Sequence, residues 1–113
     1  MLSLLEQAKT GDIRLSMSIV QLLEVYYDRI YISTEHEARA RIESILGEPI
    51  NIIEKIPYAT MYEAGRFKTS YSMSLADSIL CATVKSLGAT LVTKDDELKA
   101  PEQAGEFTVL WLK

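Results

Sequence analysis

The chain has 113 residues, enough for one domain around one modest hydrophobic core. Hydrophobic residues make up 48% and charged residues 25%, an ordinary globular balance, and no apolar run approaches the length that spans a bilayer. A net charge of −4 argues against a globally basic nucleic-acid surface but allows a local basic rim.

The opening MLSLLEQAKTGD has no basic start and no long apolar centre, so it does not read as a secretory signal. Residues 2–9 look like the end of a helix, with Gly11 closing it. Residues 12–15 read as a short strand. Ser16 or Ser18 then caps a helix to about Tyr31, whose apolar face is Ile19, Leu22, Leu23, Tyr26 and Ile30. Thr34 and Glu37 have the spacing of a capping box for a third helix, to about Leu46 before Gly47. Residues 50–53 are a strand candidate. Pro57 suits the first turn of a helix from Tyr58 to about Lys68. Ser74 caps the next helix, Leu75 to Leu87, apolar nearly all round and ended by Gly88. Residues 90–93 read as a buried parallel strand, and 107–112 as the last one. Alternating short strands and helices predict a single α/β domain over residues 1–113 with a mainly parallel sheet.

Chemistry concentrates in Ser74–Leu98. Asp77 falls in the first turn of a helix, where an acid is favoured. Asp95, Asp96 and Glu97 follow the carboxyl end of a strand, where α/β proteins place ligands. Glu24 lies at the border of an apolar helix face beside Val20, Tyr27 and Tyr31. Each acid alone has a simpler reading: Glu24 as a boundary glutamate, Asp77 as a capping acid, Asp95–Glu97 as a solvated turn. Taken together, Glu24, Asp77 and Asp95 are expected to converge. Several carboxylates at one cavity repel each other, and a divalent cation relieves this. One Cys (Cys81) and one His (His36) exclude a thiolate or imidazole zinc site, so the cation would be hard and oxygen-bound, Mg²⁺ or Mn²⁺. Such an ion activates water and stabilises a phosphodiester in transit. The lone cysteine fits a reducing cytoplasm. Arg66, Lys68, Lys85, Lys94 and Lys99 read mostly as solvated surface, with a phosphate rim as the sharper alternative. The tyrosines read as packing or dimer-interface residues more than as base-stacking ones.

LADSILCATVKSLGATLVTKDDEL resembles the C-terminal acidic motifs of PIN domains, most closely those of VapC-type toxins of toxin–antitoxin pairs. SMSIVQLLEVYYDRIY resembles their second motif, a serine-started helix carrying a glutamate. The resemblance runs from about Ser16 to the end. It implies a three-layer α/β/α domain, a sheet flanked by helices, and a metal-dependent ribonuclease acting on RNA. It maps Glu24, Asp77 and Asp95 onto three acidic catalytic and metal positions, with Thr93, Ser74 and Asp96 as accessory candidates. Leu98 stands where the family often has Phe. The family opens with a strand ending in aspartate, and MLSLLEQAKTGD resembles the second half of the helix after it, with Asp12 a poor substitute. Without that aspartate the chain as written is expected to cleave RNA weakly or not at all, and to associate as a homodimer. Two functions follow from the resemblance: a toxin ribonuclease silenced by an antitoxin protein, or a nuclease-derived module that binds and dimerises without cleaving.

Overall fold

The computed structural model describes residues 3–112, with Leu2 and its part of the opening helix outside that range. Two compact units meet in sequence at Lys55 and Ile56.

The first unit runs α1 (Leu4–Lys9), β1 (Leu15–Ser18), α2 (Ile19–Ile32), α3 (Glu35–Leu46) and β2 (Ile50–Ile53). Gly11, at φ 85°, turns the chain out of α1 in a conformation that favours glycine. The first strand begins at Leu15, where residues 12–15 were expected to form it. The turn after Gly11 consumes Asp12, whose N–H bonds back to the Gln7 carbonyl at 3.0 Å. Ser18, rather than Ser16, is the cap of α2. Its Oγ accepts the Val20 N–H, and the Gln21 side chain accepts the Ser18 N–H, both at 3.1 Å. Thr34 caps α3 by accepting the Glu37 N–H at 3.1 Å. The return bond from the Glu37 side chain, the other half of the expected box, is absent among the described residues, and Glu37 stays exposed. β1 and β2 pair in parallel, Leu15 opposite Ile50 and Met17 opposite Ile52. Leu22, Ala38 and Ile45 are the buried apolar residues of this unit.

The second unit runs α4 (Tyr58–Tyr71), α5 (Leu75–Leu87), β3 (Thr90–Thr93), a 3-10 turn (Asp96–Leu98), α6 (Lys99–Gln103) and β4 (Thr108–Trp111). α4 continues three residues past its expected end and stops at Ser72, which takes a left-handed conformation (φ 52°). Gly88, at φ 61°, ends α5 as expected, its N–H capping the Lys85 carbonyl at 3.1 Å. β3 and β4 pair in parallel, Leu91 opposite Val109. The core of this unit joins Ala64 and Phe67 of α4 to Cys81, Ala82 and Val84 of α5, with Met73, Leu91 and Leu98. α5 buries one face only, for Leu75 and Leu87 are exposed. The fold is α/β and every strand pairing is parallel, as expected. The strands pair in twos, each pair within its own unit, where one sheet was expected.

One charged hub holds the second unit together at its side. The Glu106 carboxylate, 9% exposed, accepts from Arg66 at 2.6 and 2.9 Å, from Tyr71 at 2.8 Å and from Lys85 at 2.5 Å. Arg66 also pairs with Glu63 at 2.7 Å. α4, α5 and the segment leading into β4 are thereby tied to one carboxylate.

Candidate metal centre

Two helix starts and one strand end build the candidate site. Ser74 caps α5 and its Oγ accepts the Asp77 N–H at 3.1 Å, which fixes Asp77 in the first turn. β3 ends at Thr93, whose Oγ1 accepts the Asp95 N–H at 3.1 Å. Asp95 then caps the 3-10 turn, its Oδ1 accepting the Glu97 N–H at 3.0 Å. The outcome is a convergence: one carboxylate oxygen each from Asp77, Asp95 and Glu97 lies within 4.8 Å of the others.

The electrostatics fit a cation. Asp77 is half-buried while Asp95 and Glu97 are exposed. Burial raises the Asp77 carboxyl above its ordinary value; a hydrogen bond with Ser74 opposes this and the nearby charge of Asp95 adds to it. A carboxylate so penalised is relieved by a positive charge between it and its neighbours. The donor set is oxygen only, which suits a hard divalent ion. Cys81, one turn beyond Asp77, is not part of this group; burial, with the charges of Asp77 and Glu106, pushes its thiol up to about 12.

Of the predicted residues, Asp77 and Asp95 come together. Ser74 and Thr93 serve as the hydrogen-bonding supports just described. Asp96 is turned to Lys99, with which it pairs at 3.2 Å, and Glu97 takes the third place in the cluster. Glu97 was visible in the sequence only as part of an acidic run. The signal that separates it from Asp96 is the cap itself: Asp95 bonds the amide two residues on. Glu24 lies half-buried in the middle of α2, in the first unit.

A family model for the PIN domain matches residues 2–103. The chain belongs to the PIN domain family. That membership suggests a nuclease: PIN domains generally bind divalent metals and commonly act on RNA. A comparison with curated proteins finds no match. Among the described residues, no helix is long and apolar enough to cross a membrane.

Proposed function

We propose that this chain is a metal-dependent endoribonuclease of reduced activity in which Asp77, Asp95 and Glu97 hold Mg²⁺ or Mn²⁺. The observation that carries this reading is the approach of three carboxylates to within 4.8 Å, from the first turn of α5 and the turn that follows β3. Bound there, the cation would lower the pKa of a water and stabilise charge on the phosphodiester. The chain's own groups do the positioning. Ser74 and Thr93 fix the backbone of Asp77 and Asp95, which would position the two carboxylates for a cation. The substrate is single-stranded RNA, whose backbone is reachable by a shallow acidic site without opening a duplex.

The resemblance to VapC-type toxins supports the narrower role of a cytoplasmic toxin held silent by an antitoxin protein. An open apolar groove of about 460 Å³ between α2 and α3, lined by Ile19, Leu22, Leu23, Tyr26 and Ile42, agrees with a protein partner. We also propose that the chain is a homodimer; exposed Tyr58 and Tyr62 on one face of α4 suit such an interface.

The test is cleavage of a single-stranded RNA by the full chain. Cleavage should require Mg²⁺ or Mn²⁺ and stop on chelation. Cleavage that continues in excess chelator would overturn the metal-dependent reading.

A further inference from the structure

A nuclease needs cations for the substrate's phosphates as well as carboxylates for the metal. The second unit has five described cationic side chains: Arg66, Lys68, Lys85, Lys94 and Lys99. Three are neutralised by the protein itself. Arg66 and Lys85 both pair with Glu106, and Arg66 with Glu63 as well. Lys99 pairs with Asp96 at 3.2 Å and lies 5.8 Å from the centre of the Trp111 ring. The remaining two have no carboxylate partner among the described residues.

Both remaining cations adjoin the segments that build the acidic cluster. Lys68 reaches from α4 across the α4–α5 turn, and its ammonium donates to the Met73 carbonyl at 3.1 Å. Met73 immediately precedes Ser74, the cap that fixes Asp77. That bond satisfies one of three ammonium donors and leaves the charge uncompensated. Lys94 immediately precedes Asp95 and is exposed. An exposed lysine side chain is long and mobile enough to reach a ligand seated at the neighbouring residue.

We propose that Lys68 and Lys94 are the phosphate contacts of this site, holding the RNA backbone beside Asp77 and Asp95. The proposal rests on the ribonuclease reading and names its substrate contacts. Lys68 is the fixed contact, tethered to Met73, and Lys94 the mobile one. Lys99, equally close in sequence to the acidic turn, is excluded by its pairing with Asp96.

The experiment measures binding of a fluorescent single-stranded RNA to the full chain without divalent cations, so that nothing is cut, over a series of KCl concentrations. Releasing one phosphate contact on a single strand lowers the slope of log K against log [KCl] by about 0.7. Lys68→Gln and Lys94→Gln should each weaken binding and lower the slope by that amount. Lys68→Arg should restore the slope, because the charge returns. Lys99→Gln should leave both quantities unchanged. Mn²⁺ affinity should be no weaker in either glutamine variant, which separates a phosphate contact from damage to the acidic cluster. Unchanged slopes in both variants, or an equal loss in Lys99→Gln, would overturn the proposal while wild-type cleavage stands. A wild-type chain that neither binds nor cuts RNA would overturn the ribonuclease reading along with it.

Discussion

Asp95 Oδ1 accepts the Glu97 N–H at 3.0 Å, so one side chain both caps the 3-10 turn and brings two carboxylates to the same place. Capping and charge can be separated, because asparagine caps about as well as aspartate. Asp95→Asn should retain the stability of the parent and lose metal affinity. Asp95→Ala should lose the cap too, at a cost of about 1 kcal/mol. Thermal melts beside Mn²⁺ titrations distinguish the two. Equal metal affinity in Asp95→Asn would remove Asp95 from the site.

Asp77 makes a prediction about pH. Its carboxyl is raised, chiefly by burial, so the folded metal-free chain holds that proton more tightly than the unfolded chain. The stabilisation this provides is complete below the ordinary value of 3.8 and is lost as pH rises through the raised value. Asp77→Asn has no such proton. Without metal, the stability of wild type relative to Asp77→Asn should therefore fall as pH rises above 3.8 and through the raised value. Saturating Mg²⁺ should reverse the trend at pH 7. Melting curves at several pH values, with and without the ion, read this directly.

Glu106 has the opposite sign. Hydrogen bonds from Arg66 come first among the causes that hold its carboxyl down at about 2. Its contribution is present above the ordinary value of 4.5 and disappears as pH falls toward 2. Glu106→Gln should cost about 2 kcal/mol at pH 7, because Arg66 and Lys85 lose the negative charge and one of the two acceptor oxygens they share. The penalty should vanish near pH 2. Urea melts of both proteins at pH 7 and pH 3 should show the gap narrowing; a gap independent of pH would show that the hub acts through packing alone.

The homodimer has its own check. Light scattering at micromolar concentration should give about twice the 12.7 kDa mass of the chain. A monomer's mass would rule out the dimer at that concentration.

The parts of the fold legible in the sequence were those written by local signals. Residues 50–53 and 90–93 are apolar or β-branched runs between turn residues, and both appear as strands at those positions. Ser74 and Gly88 bracket α5 because capping and left-handed turning are properties of single residues. The first strand was misplaced because Ser18 does two jobs, closing β1 and capping α2, and a four-residue strand carries too little alternation to show its register. α4 ran longer than expected because its stop is a serine in a left-handed conformation, which no composition rule announces. Of the site, Asp77 and Asp95 were legible from their places at element ends. Glu97 was not, since three consecutive acids are equivalent until the 3-10 turn sends Asp96 toward Lys99. The Glu106 hub was invisible for a different reason: its partners lie 21 to 40 residues away in sequence.

The most direct test of the central claim compares wild type, Asp77→Asn and Asp95→Asn in cleavage of one single-stranded RNA with Mg²⁺ or Mn²⁺. Both substitutions keep side-chain volume and remove charge, so folded protein, verified by an unchanged circular dichroism spectrum, is the comparison point. The account predicts at most weak cleavage by wild type, dependent on the cation, and none by either variant. Cleavage by both variants at the wild-type rate, or wild-type cleavage unchanged by chelation, would contradict it.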